Sequence, residues 1–196
     1  MKQALVVIPL LLLLQACGST SGLKSADPSV PIPDLSAYDR VVVLDFVDQT
    51  DTSRIKKKDS LAAHRESVSV ASATFAELLA SEIRQTGAFA EVTREPTDQP
   101  AVMVSGSITR YAEGNAAARF LIGLGAGSSY FDAVIEFKDH EGRPLGSIVT
   151  DQNSWVGGGV IAASQDVDNF MKGAAKKVAE ELAKARAGTP AESAEL

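Results

Sequence analysis

The chain carries one cysteine, Cys17, two histidines and one tryptophan in 196 residues. A disulfide within the chain needs two thiols and a thiolate zinc site needs more, so both are excluded. Neither the nucleophile elbow GxSxG nor the zinc-binding HExxH occurs. His64 stands near the start of a helical stretch and His140 in a turn signal, and each reads as a solvated surface residue. Positive charge is also scarce. Lys and Arg number 19 against 25 Asp and Glu, a net charge of −6, which is a poor footprint for nucleic acid. Nothing in the chain calls for a cofactor, a metal or a catalytic constellation, and the expectation is a protein that is not an enzyme.

A long apolar run is missing as well. Ala4 to Leu14 (ALVVIPLLLLL) is eleven residues, whereas a membrane-spanning helix needs about 20. Preceded by Lys2, the run reads as the apolar region of a signal peptide covering residues 1–16. It leads into Leu14-Gln15-Ala16-Cys17, which resembles the bacterial lipobox; an ordinary secretory signal with an incidental cysteine is the alternative. The lipobox resemblance implies cleavage between Ala16 and Cys17, a diacylglyceryl group on Cys17 and acylation of the new amino terminus. Several acyl chains anchor stably, since each buried methylene contributes about 0.8 kcal/mol. Gly18 rather than aspartate follows the cysteine, and by the same resemblance this implies export to the outer membrane, facing the periplasm. Removal of residues 1–16 takes away one positive charge, Lys2, and moves the net charge from −6 to −7.

Residues 17–38 follow as the lipidated cysteine and a tether. Residues 18–37 (GSTSGLKSADPSVPIPDLSA) are small, polar and proline-bearing, a composition that predicts a flexible linker with a span of about 25 Å. Residues 39–187 read as one globular domain, and residues 188–196 as a disordered tail. Within the domain, Arg40 to Val47 (RVVVLDFV) is apolar at nearly every position, as in a strand covered on both faces. Asp45 inside it is expected to be paired or at the strand's wet end. Val68, Ala71, Phe75, Leu78, Leu79 and Ile83 recur at three-and-four spacing and predict a long helix, closed by Gly87. A short strand over 88–93 and another over 101–111 follow. Phe131, Ala133, Ile135 and Phe137 alternate with Asp132, Glu136 and Lys138, the pattern of a strand with one wet side. Asp139-His140-Glu141-Gly142 is a hairpin turn, with a return strand from Leu145 to about Trp155. Asp166 caps a last helix over 166–186, striped by Val167, Phe170, Met171, Ala174, Val178, Leu182 and Ala185. The expected fold is α+β, a mixed four- to five-stranded sheet with two main helices packed on it, in the order β-α-β-β-β-β-α.

Two glycine-rich apolar stretches stand out, RFLIGLGAGSS (119–129) and WVGGGVIAAS (155–164). The first is not a phosphate cradle: a P-loop needs GxxxxGK[ST], while Gly127 is followed by Ser128-Ser129 with no lysine near. Gly123, Gly125 and Gly127 run as GxGxG into a strand, not as the GxGxxG that opens a helix. Three readings stay open: a tight structural bend with Arg119 paired locally, a self-association segment, and a membrane-contacting hairpin. Phe120 to Tyr130 carries no charge and has the length of a transmembrane β-strand. Trp155 is either a packing residue or a partner anchor. Lys56-Lys57-Lys58 is the densest positive run, either a solvated loop or the seat of an anionic partner such as lipid headgroups.

The ordered set Gly106, Tyr111, Gly114-Asn115, Arg119, Gly123, Gly125, Gly127, then Asp139 and Gly142, is similar to the bacterial lipoproteins grouped as domain of unknown function 4410. VVVLDFVDQT (41–50) looks, more faintly, like the first strand of periplasmic lipoproteins with a TolB-amino-terminal-like fold. That group includes the curli secretion lipoprotein and the activators of penicillin-binding proteins. These resemblances imply a lipid-anchored outer-membrane lipoprotein with a non-enzymatic binding or assembly domain and an envelope protein as partner. A subunit of an oligomeric secretion complex, hence a homo-oligomer, and an activator of a peptidoglycan synthase are the alternatives. Exchange of Cys17 for serine is expected to move the protein out of the membrane fraction; unchanged fractionation would overturn the lipid anchor.

Overall fold

The structure is a computed structural model that describes residues 18–29, 31–32, 34–114, 129–153 and 166–188. Eight strands form one mixed sheet: β1 Gly18–Thr20, β2 Lys24–Ser25, β3 Arg40–Val43, β4 Val47–Asp48, β5 Glu91–Thr93, β6 Val102–Ala112, β7 Tyr130–Asp139 and β8 Pro144–Asn153. Two helices, α1 Lys58–Thr86 and α2 Val167–Arg186, complete the fold. The sheet runs β1-β8-β7-β6-β3-β5, with β2 beside β1 along β8 and β4 following β3 along β6. The class is α+β as expected, with more strands than the four or five anticipated.

Period-two burial puts the core on one face of the sheet. Val41, Val43, Val102, Val104, Ile108, Phe131, Ala133, Ile135, Phe137 and Ile148 are all buried there, and both helices cover them. On α1 the buried positions are Val68, Ala71, Ser72, Phe75, Ala76, Leu79, Ala80 and Ile83, the stripe expected except that Leu78 is only partly buried. Gly87 ends α1 with φ 64°, its N–H donating to the Arg84 carbonyl. The carboxylate of Asp166 caps α2 by accepting from the Asn169 amide at 2.9 Å, and Lys184 and Arg186 occupy its last turn, where the helix dipole favours cations.

The run 40–47 is not one strand. Val43 pairs with Val104 and Val47 with Ser107, so three residues, Leu44 to Phe46, face two on β6, and the ladder bulges. Helix α1 repairs the break. The Phe46 amide donates to the Ser72 hydroxyl at 2.7 Å, and that hydroxyl donates back to the Phe46 carbonyl at 2.8 Å. Phe46 then packs on Phe75, and Phe75 on Phe131, with ring centroids 5.0 and 4.7 Å apart. On the outer side β5 stops at Thr93, and Arg94 takes over: its Nε donates to the Val43 carbonyl at 3.1 Å while its guanidinium pairs with Asp45. Asp45 is thus paired and exposed.

The expected flexible tether is corrected. Residues 18–25 pair antiparallel with β8, Gly18 opposite Gln152 and Ser25 opposite Gly146. Leu23 and Leu35 are buried in the core. Backbone pairing needs no apolar period, so small polar residues serve as well as any. The sheet therefore already includes Gly18, ahead of residue 39. The expected signal segment 1–16, Cys17 and the residues of the expected tail from 189 on lie outside the described residues.

Gly106 sits on β6 beside the bulge with φ 153°, and a Cβ there would lie 2.0 Å from the Val134 carbonyl oxygen of β7. Gly106→Ala is expected to destabilise the fold by about 3 kcal/mol, lowering the melting temperature by about 10 °C in a circular-dichroism melt. An unchanged melt would refute the close approach.

Candidate functional site

The strand registers give the sheet two unlike ends. At one end lie the β7–β8 hairpin, the C-termini of both helices and the start of β3. At the other, Ala112 is opposite Tyr130, Tyr130 opposite Asn153, and Gln152 opposite Gly18. This row of chain positions emits three segments. Residues 115–128 join β6 to β7, residues 154–165 join β8 to α2, and Cys17 precedes β1. Ala16, Cys17, Arg119, Gly123, Gly125, Gly127 and Trp155 all lie in these segments, outside the described residues. What the fold establishes is that their points of departure are neighbours.

The base of this end is fixed by polar contacts. Ser129 donates through its hydroxyl to the Glu113 carbonyl at 2.7 Å, closing the hairpin where Gly114 takes φ 78°. The Arg110 guanidinium lies 3.7 Å from the centroid of the Tyr130 ring and 3.7 Å from the Asp132 carboxylate. Burial pushes the Tyr111 hydroxyl up to about 12, and the charges of Glu113 and Asp168 add to the shift. Tyr111 therefore stays neutral at physiological pH. The chain also reaches this end through β4, since Gln49 still donates to the Ile108 carbonyl at 2.9 Å before the loop to α1 begins. That loop is tied down. Thr50 donates to Asp48 at 2.7 Å and meets His64 Nε2 at 2.9 Å. Lys56 to Lys58 are exposed, and α1 starts at Lys58.

Asp132, Glu136 and Lys138 face the wet side of β7 as expected, Glu136 pairing with Lys138 at 2.8 Å. His140 is exposed. Among the described residues no group of three or more His, Cys, Asp or Glu side chains is placed to hold a metal ion, and no helix is long and apolar enough to cross a membrane.

One functional-looking group escaped sequence reasoning. Glu181 is buried on the apolar side of α2, where its Oε2 accepts from the Leu23 amide at 3.2 Å and its Oε1 from Lys184 at 3.0 Å, with Lys177 at 3.3 Å. It clips the amino-terminal segment to the helix. A second clip lies further on, where the Leu35 amide donates to the Ala185 carbonyl and Arg186 pairs with Asp39 at 2.5 Å. The only signal in sequence was a carboxylate beside Leu182 in an otherwise apolar stripe.

The described residues thus form a single-layer α+β sheet with two unlike ends, and the exposed Lys56 to Lys58 follow the strand that runs toward one of them. The chain belongs to the family described as Domain of unknown function (DUF4410), whose model matches residues 41–158. Among solved structures it is similar to a PelC dodecamer from Paraburkholderia phytofirmans, at 14% identity with a TM-score of 0.53, covering 84% of this chain and 96% of that one. A point-substituted PelC dodecamer from the same organism gives 16% identity and a TM-score of 0.51 over the same shares. At these identities the likeness is one of fold. No curated protein matches the sequence.

Burial pushes Glu181 up, but hydrogen bonds from Lys184, the Leu23 amide and Lys177, with the charge of Lys177, hold it below the usual carboxylate range. A depressed carboxylate contributes stability above its ordinary value of 4.5 and loses it as pH falls through the lower folded value. Glu181→Ala leaves a buried amide without its acceptor and is expected to cost about 2 kcal/mol. Amide hydrogen exchange at Leu23 is the check: its protection factor, referred to the intrinsic exchange rate at each pH, should fall in the variant at neutral pH, and in the parent only on acidification. Unchanged protection in the variant would remove Glu181 from this role.

Proposed function

We propose that this chain is a lipid-anchored subunit of a homo-oligomeric assembly at the bacterial outer membrane, facing the periplasm and acting by binding and assembly, not by catalysis. The observation that carries the proposal is the row Gly18, Asn153, Tyr130 and Ala112 at one sheet end. It sets the residue after Cys17 beside the roots of both glycine-rich segments, which supports the reading that this end of the domain meets the membrane. With β1 starting at Gly18, the domain sits against the bilayer without a linker, which holds copies in one orientation and favours lateral association.

The likeness of fold to PelC dodecamers supports a large assembly of copies as the form of that association. It is compatible with the secretion-complex alternative read from the sequence, in which Phe120 to Tyr130 and the segment from Trp155 are contacts between copies or with lipid. The well-formed carboxylate pairs of the described residues have structural partners: Asp139 with Arg143, Asp45 with Arg94, Glu181 with Lys177 and Lys184. That is the pattern of a scaffold.

Light scattering on the full-length acylated protein in mild detergent, with the detergent mass subtracted, is expected to give one uniform species of many subunits, on the scale of the twelve in the PelC assemblies. A monomer or dimer at all concentrations would overturn the large assembly.

A further inference from the structure

The loop from Gln49 to Lys57 is ordered by its own hydrogen bonds. Thr50 and Ser53 turn back onto Asp48 and Asp51, the Ile55 amide donates to Thr52, and Lys56 Nζ donates to the Ser53 carbonyl at 2.9 Å. Exposed Asp48, Asp51 and Asp59 flank it, and its positive charge is concentrated between them. Arg54, Lys56, Lys57, Lys58 and, about two helical turns further on, Arg65 are all exposed. Among the described residues no carboxylate lies within ion-pair distance of Lys56, Lys57 or Lys58, although Asp59 follows directly in the first turn of α1. This is an acidic protein, at −6 overall, so a run of three lysines outside any ion pair is against the general trend of its surface.

The placement is also against local electrostatics. Lys57 is the N-cap of α1 and makes no side-chain cap hydrogen bond, and cations at a helix N-terminus are disfavoured by the helix dipole. A fold selected only for stability would put aspartate or serine there. The topology supplies the other half of the argument. β4 runs parallel to β6 and delivers the loop to the same end of the sheet as Gly18. Across that end the order is β1, β8, β7, β6, β4, four strand spacings, so β4, from which the lysine loop departs, stands about 19 Å across the sheet from β1, which begins with the residue that follows Cys17.

We propose that Lys56, Lys57 and Lys58 form a second membrane contact that binds the anionic phospholipid headgroups of the leaflet in which Cys17 is anchored. The inference rests on the lipid-anchor reading for its geometry. Three lysines within a Debye length of an anionic surface each add roughly fivefold to partitioning, enough to matter for orientation though not for anchoring. Two attachment points at opposite margins of one sheet end hold the strands across the membrane plane, where a single anchor leaves the domain free to tip.

The test uses the mature chain carrying Cys17→Ser, so that no acyl chain contributes, in co-sedimentation with vesicles of phosphatidylcholine alone and with phosphatidylglycerol mixed in. Binding is expected only to the anionic vesicles, to fall steeply with salt, and to drop about a hundredfold in Lys56→Gln/Lys57→Gln/Lys58→Gln. That triple variant should melt at the same temperature as its parent or higher, because repulsion from the α1 dipole is relieved. Lys24→Gln/Lys138→Gln removes charge at the other end of the sheet and should leave binding intact. Equal binding to neutral and anionic vesicles, or a triple variant that binds like its parent, would overturn the proposal. Because the assay contains no acyl chain, its failure is separate from a failure of the anchor, which the fractionation of Cys17→Ser in cells reports.

Discussion

Strand β6 pairs in parallel with β3 and β4 along one edge and antiparallel with β7 along the other, and this double pairing gives the molecule its polarity. Parallel pairing forces the chain leaving β4 to cross back over the sheet before it returns as β5, and α1 is that crossover. Antiparallel pairing sends 115–128 off the far end of β6. The next hairpin, at Asp139 to Gly142, falls at the near end, so β8 again points away and α2 again returns. One long central strand therefore decides that both helices start at the same end and that the loops with unusual composition collect there. Gly106 is where this strand comes under most pressure, since β7 approaches its backbone too closely for any side chain.

The readable part of the fold was the part written in side-chain periodicity. Phe131, Ala133, Ile135 and Phe137 alternate and are buried; the stripes of α1 and α2 recur as spaced; Asp166, Gly87 and Gly142 do what caps and turns of those residue types do. β1 and β2 were illegible because their pairing with β8 is made by backbone groups, and Ser19, Thr20 or Ser25 advertise no pairing. Leu23 and Leu35 are single apolar residues in a polar stretch, too sparse to suggest a core. The bulge at Leu44 to Phe46 was hidden for another reason: the residue that stabilises it, Ser72, lies on a different element. Of the candidate site, Cys17 and the glycine-rich segments were visible as composition. Their common point of departure depends on strand register, which no local pattern encodes.

The family pattern acquires physical content from the structure. Gly106 is required by the backbone of β7. Gly142 takes φ 83° in the hairpin turn. Asp139 is buried; burial pushes its carboxyl up, but hydrogen bonds from Arg143 and from the amides of Arg143 and Glu141, with the Arg143 charge, bring it below the usual carboxylate range. These three positions set the geometry of the β6–β7–β8 meander from which the distinctive segments spring. They hold a frame.

The outermost strands of the sheet are very short: three residues in β1, two in β2 and three in β5. Beyond β5 the rim is further blunted by the Arg40–Glu91 ion pair at 2.6 Å and by Pro96 and Pro100. Such rims offer too few consecutive amide and carbonyl groups to recruit a neighbouring chain as an added strand. In an assembly of the kind proposed, copies would thus be protected from zipping into an open-ended ribbon, and any closed arrangement among them would have to be specified by side-chain shape.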